Sequence, residues 1–182
     1  MLFISMMPTF FCIDHRKMED FEAKAEALKK KMLESGVANS DLIKGCSESE
    51  SSTLEQENDV VFPNSYKVFL KHFGRGLGGI IMSDIDILYD EISGLTDFLR
   101  NKVLIEEGDP LLPEKAFVFS GRYGEQFMFF DASGLIEEPP TMYYSIDDNE
   151  FTEKGKSVFN LIENEIEFSI AIKNRRQELR NQ

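Results

Sequence analysis

The sequence predicts an α+β protein, with a mainly antiparallel sheet packed against helices. Three observations predict it. Two long stretches, Asp14 to Glu34 and Ser157 to about Leu179, place apolar side chains at three- and four-residue spacing. Two phenylalanine-rich runs, Ala116 to Phe119 and Gln126 to Phe130, flank Gly121-Arg122-Tyr123-Gly124, a hairpin connection rich in turn formers. A third apolar run, Thr141 to Ile146, follows Pro139-Pro140 directly, and consecutive strands favour antiparallel neighbours. With 182 residues, 42% of them hydrophobic and 16 of them Phe, the chain can bury one ordinary core. No internal repeat is visible. Residues 1–38 read as an N-terminal segment and helix, and residues 39–182 as the main domain with its closing helix.

In the first helix Met18, Phe21, Ala25, Leu28 and Met32 form the apolar stripe, and Ser35-Gly36 ends it. The run Lys29-Lys30-Lys31 lies among Glu22, Glu26 and Glu34, which makes it a solvated face rather than a nucleic-acid patch. Asn39 to Gly45 is a connection or short strand. Ser47-Glu48-Ser49-Glu50 fits a reciprocal cap, in which Ser47 accepts from the amide three residues on and Glu50 reaches back to the Ser47 amide. The helix it starts should run to about Asn58 and bury Leu54. Pro63 suits the start of the next helix, whose stripe is Tyr66, Phe69, Leu70 and Phe73, with Gly74 as the stop.

Gly74-Arg75-Gly76-Leu77-Gly78-Gly79 is glycine-rich but follows a helix and precedes an apolar Ile80-Ile81-Met82. A phosphate-binding loop needs the opposite order, so a turn leading into a strand is expected. Ser83 to about Leu104 should hold one or two helical pieces with Ile85, Leu88, Tyr89, Ile92, Leu95, Phe98 and Leu99 inward. An acidic loop, Glu106 to Pro113, leads to the strands. The last helix carries Phe159, Ile162, Ile166 and Ile170 on its core face. Its basic end, Lys173, Arg175, Arg176 and Arg180, complements the helix dipole.

Charge narrows the function classes. The net charge is −13, and it is concentrated: residues 41–165 hold 25 Asp/Glu against 10 Lys/Arg, a net −15. Such a surface repels nucleic-acid phosphates and anionic lipid and attracts a basic partner, so neither nucleic acid nor membrane is expected as a partner. The apolar start, Met1 to Ile13, is interrupted by Pro8 and lacks both a basic beginning and a small-residue cleavage site. A cytoplasmic location is the expectation. Cys12 and Cys46 belong to no metal-binding spacing and read as reduced thiols.

The search for chemistry yields little. His15 and His72 have no His or Cys at ligand spacing, so no metal is expected, and no cofactor motif is present. The tightest carboxylate clusters are Asp84-Ile85-Asp86 and Asp147-Asp148-Asn149-Glu150. The second lacks the alternating frame of a calcium loop and reads as a solvated strand end or turn.

The stretch from about Leu42 to Glu165 resembles the SUKH superfamily, the domain shared by fungal cell-wall assembly regulators and many bacterial toxin-immunity proteins. The residues that carry the resemblance are Leu54-Glu55 in the capped helix, Phe62-Pro63-Asn64-Ser65-Tyr66-Lys67-Val68-Phe69-Leu70, then Gly74 and Gly78-Gly79. The strands at Phe117 to Phe119 and Phe127 to Asp131, Pro140 before Tyr143-Tyr144, and Ser157-Val158-Phe159 fit its later pattern. The resemblance implies a noncatalytic, α+β protein that binds and neutralises a cognate toxin, commonly a nuclease. In that reading Glu55, Pro63, Tyr66, Phe69, Leu70, Gly74 and Gly79 hold the scaffold. Asp84, Asp86, Asp147, Asp148 and Glu150 are the candidate carboxylates facing a basic toxin. The alternatives are a regulator of the cell-wall type that binds a host protein, and a hydrolase with an unrecognised carboxylate site.

Overall fold

The computed structural model describes residues 15–80, 87–107 and 110–181. Helix α1 (His15–Glu34) buries the stripe its sequence spacing predicts: Phe21, Ala25, Leu28 and Met32 are buried and Met18 packs beside them. A short 3₁₀ turn leads to β1 (Ile43–Lys44), and α2 (Glu48–Asn58) follows. Both halves of its cap are formed: the Glu50 amide donates to Ser47 Oγ at 3.3 Å and the Ser47 amide donates to Glu50 Oε2 at 2.8 Å. Leu54 is the residue α2 buries.

Helix α3 (Asn64–Phe73) starts at Pro63, whose carbonyl accepts from the amides of Tyr66 and Lys67. Tyr66, Phe69, Leu70 and Phe73 are fully buried. Gly74 ends α3 with an ordinary right-handed φ of −60°, so the reason for glycine is close approach. A Cβ there would stand 2.5 Å from Cys46 Sγ and 2.7 Å from the Leu70 carbonyl oxygen.

Strand β2 is Gly76–Leu77, antiparallel to β1 with Ile43 opposite Leu77. This corrects the expected simple turn through the glycines: the pairing falls inside the run. Ile80 is irregular, and Ile81 and Met82, where the strand was expected, lie outside the described residues. Gly78 and Gly79 then turn with φ of +73° and +80°, a region that favours glycine.

The stretch before the sheet is a run of short pieces: α4 (Tyr89–Ile92), α5 (Leu95–Phe98), a π-helical turn (Leu99–Val103) and α6 (Leu104–Glu107). Ile92 and Leu99 are buried as expected, whereas Phe98, expected inward, is 43% exposed. Its ring lies at the rim of the sheet, 6.1 Å from Phe127 and against the Gly124 turn.

Four antiparallel strands form the sheet in the order β3 (Ala116–Arg122), β4 (Gln126–Asp131), β5 (Thr141–Ser145) and β6 (Glu150–Gly155). The first three fall where the sequence predicts them; β6 is an addition. Alternation divides the side chains between two apolar layers. Phe117, Phe119 and Phe130 join α1, α2, α3 and α7 (Val158–Arg180) on one face, while Val118, Phe127, Phe129 and Tyr144 meet Leu99, Val103 and Leu104 on the other. A register shift between Val118 and Ser120 bulges β3, and Thr96 Oγ1 accepts from the Val118 amide at 3.1 Å, blunting that edge of the sheet.

The centre of the first layer is aromatic. Phe62 stands edge-on to Phe117 at 4.6 Å and to Tyr66 at 5.0 Å, and Tyr66 is edge-on to Phe130 at 4.9 Å. Each such pair contributes roughly 0.5–1.5 kcal/mol beyond area burial. The Tyr66 hydroxyl is buried without a hydrogen-bond partner among the described residues, and burial pushes its pKa well above the ordinary value. Removing an unsatisfied buried polar group while keeping the ring is therefore favourable. Tyr66→Phe should leave the fold intact and raise unfolding stability by about 1 kcal/mol in urea titration. A loss of similar size would show that the hydroxyl is satisfied.

Acid stability has a defined source. The Arg75 guanidinium, followed by the Ser47 amide and hydroxyl, holds the Glu50 carboxyl down from 4.5 to about 2. Arg75 also reaches Asp90 at 2.9 Å and lies 4.7 Å above the Tyr89 ring, so this cluster joins α2, the glycine turn and α4. A folded-state pKa below the unfolded one means that the stabilisation is full above about pH 4.5 and is lost as pH falls toward about 2. Asp59, lowered chiefly by the Lys115 hydrogen bond, acts in the same direction. Melting temperature should fall through this window, and Glu50→Gln should be less stable near neutrality yet lose less on acidification. Parallel acid profiles for the two proteins would refute the assignment.

Candidate functional site

The scaffold residues have identifiable tasks. Glu55, on α2, accepts from the Phe62 amide at 2.6 Å and pairs with Lys67 at 3.0 Å. One carboxylate thus ties α2 to the chain entering α3 and sets Phe62 over the sheet. Pro63 places the first turn of α3, while Tyr66, Phe69 and Leu70 anchor it. The Leu70 carbonyl also accepts from the Cys46 amide at 2.8 Å, close to Gly74. Cys46 is buried, and burial pushes its thiol up to about 11, so it stays protonated and unreactive near neutrality.

The strand order decides where the acidic residues go. In an antiparallel meander the β3–β4 and β5–β6 connections lie at one end of the sheet and the β4–β5 connection at the other. Arg122 pairs with Gln126, Gln126 with Ser145, and Ser145 with Glu150, so the two connections stand side by side on one row. The Ile146 amide donates to the Glu125 carbonyl at 3.0 Å, joining them directly. Asp147, Asp148 and Glu150 are all exposed here, as is Glu125 from the neighbouring turn.

Two exposed aromatic side chains accompany these acids. Tyr123 is 69% exposed at the tip of the first turn, held there with φ of +53°. Phe98 packs against the same turn from α5. The result is four carboxylates around an aromatic ledge, the composition of an interface with a charged rim and a few large anchors.

Of the five carboxylates singled out from sequence, the structure brings Asp147, Asp148 and Glu150 together. Asp84 and Asp86 lie outside the described residues. Glu125, Tyr123 and Phe98 were missed as members of this surface. The hairpin connection around Tyr123 was visible in the sequence, but its neighbour depends on β6. That strand, Glu150-Phe151-Thr152-Glu153-Lys154-Gly155, has a single large apolar residue and no alternation to reveal it.

Among the described residues, no group of three or more His, Cys, Asp or Glu converges as a metal site. The one described histidine with a carboxylate in contact is His72, whose Nε2 lies 2.6 Å from Glu22. Burial raises the Glu22 pKa, but contacts with Lys71 and His72 outweigh it and the net shift is downward. This is an ion-pair network tying α1 to α3. No described helix is long and apolar enough to cross a membrane.

Comparison with known proteins gives one finding. The SUKH_6 family model, described as SMI1-KNR4 cell-wall, matches residues 48–162, from the capped start of α2 into the core-packed turns of α7. None of the curated proteins matches the chain. The matched span takes in Glu55, the Pro63-led helix, Gly74, Gly79 and all four strands of the sheet, the same elements that hold the aromatic core. The chain belongs to the SUKH superfamily, through its SMI1-KNR4 family.

Proposed function

We propose that this chain is a noncatalytic acidic binding protein of the cytoplasm, an immunity protein that neutralises a cognate toxin by direct contact. The supporting observation is the joining of Glu125, Asp147, Asp148 and Glu150 with Tyr123 and Phe98 at one end of the sheet. A basic protein surface is the complementary partner, and nuclease toxins, whose active sites are positive, are the class this charge suits. In such a pairing the carboxylates accelerate encounter and fix register, while the aromatic side chains supply desolvated contact area. The family's cell-wall description favours a second reading, an intracellular regulator that uses the same surface on a host protein.

The test is co-expression with a toxin encoded beside this gene, together with binding measured at low and high salt. Protection and a salt-sensitive complex are expected. Charge reversal of Asp147, Asp148 and Glu150 to Lys should weaken binding by tenfold or more, an effect of about 1–2 kcal/mol, mainly through slower association. Tyr123→Asn, which tolerates the positive φ, should instead speed dissociation. Full protection by the triple variant would move the interface elsewhere. Recovery of a housekeeping partner with no toxin in the neighbourhood would favour the regulator.

A further inference from the structure

Helix α7 buries one apolar face in the core and leaves much of a second row in solvent. Phe159, Ile162 and Ile166 are buried in the main core, and Ile170 packs against it. A second row is formed by Leu161, Glu165, Phe168, Ile172, Arg175 and Leu179, separated by four, three, four, three and four residues. That spacing is the a/d seam of a coiled coil. Leu161, at the start of the row, is 7% exposed and belongs to the main core, though it also lines an opening beside the sheet, whereas Phe168 is 59% and Leu179 64% exposed. Glu165 and Arg175 form no ion pair with any described residue.

The row is complementary to itself when reversed. Turned end for end about Ile170, it sets Leu161 opposite Leu179, Glu165 opposite Arg175, and Phe168 opposite Ile172. Every apolar position meets an apolar one and each charge meets its opposite. These contacts join a and d positions, the layering expected of antiparallel helices. A parallel pairing would place Glu165 on Glu165 and Arg175 on Arg175, two like-charge layers. An opening of about 230 Å³ between α7 and the sheet, lined by Leu161, Glu165, Met128, Tyr143 and Lys154, lies where the far end of a second helix would arrive.

We infer that a second copy of this chain docks on this face, giving a two-fold symmetric dimer in which the two α7 helices run antiparallel. The seam runs from Leu161 to Leu179, about 27 Å of helix, and each copy supplies the same patch, as an isologous contact requires. The inference is independent of the proposed immunity function. The acidic end of the sheet is formed by strand connections, whereas the seam residues lie on α7.

Sedimentation equilibrium of the full-length protein tests it. A dimer is expected, and Phe168→Glu and Leu179→Glu should each shift the chain toward monomer with unchanged circular dichroism, since both side chains are exposed. Glu165→Arg alone should weaken association by about tenfold or more, because it creates two Arg–Arg layers. Adding Arg175→Glu to it should restore most of that loss. A wild-type monomer at about 100 μM would overturn the proposal. So would a dimer indifferent to Phe168→Glu, or a double charge swap that fails to recover association.

Discussion

The burial of α3's aromatic stripe against one face of the sheet is the constraint on which the other features depend. Tyr66 touches Phe62, Phe69, Phe117, Phe119 and Phe130, and no other ring among the described residues has as many aromatic neighbours. Packing of this kind depends on ring orientation as well as apolar area, so the angle at which the chain enters α3 matters. That angle is held by polar groups outside the core: Glu55 on the Phe62 amide, Pro63 at the helix start, and the absent side chain of Gly74 beneath Cys46. The family's structural positions are thus the devices that aim one helix.

Charge is arranged around that core in two different ways. Where carboxylates face cations they link elements, as Glu50, Arg75 and Asp90 do, or Glu22 with Lys71 and His72. Exposed pairs of this kind contribute little each, and the networks mainly fix orientation. At the end of the sheet the carboxylates of Asp147, Asp148 and Glu150 form no ion pair with a described residue. Unneutralised negative charge projects its field outward into solvent.

The sheet separates these surfaces because its two edges are treated differently. On the β3 side Thr96 occupies the Val118 amide and α5 covers the strand. On the β6 side the strand carries Glu153 and Lys154, charges that discourage pairing with another sheet. The proposed association through helix α7 would therefore use side-chain complementarity along a helix rather than backbone pairing along an edge.

Much of the architecture was legible in the residues themselves. The stripes of α1 and α7, the reciprocal cap at Ser47 and Glu50, the Pro63 start and strands β3 to β5 follow from local periodicity and capping chemistry, which act within a few residues of one another. Strand β6 was not legible, because its conformation comes from backbone pairing to β5 and not from its own side chains. The β1–β2 pair is two residues long on each side, too short for any period to register. Phe98 continues a helical stripe in sequence but ends exposed, since the hairpin turn and not the core lies in front of it. The sequence by itself determined the acidic charge, the family and the helical and aromatic core. Only the tertiary structure decided which carboxylates stand together and which α7 face remains open, because both depend on how distant segments pack.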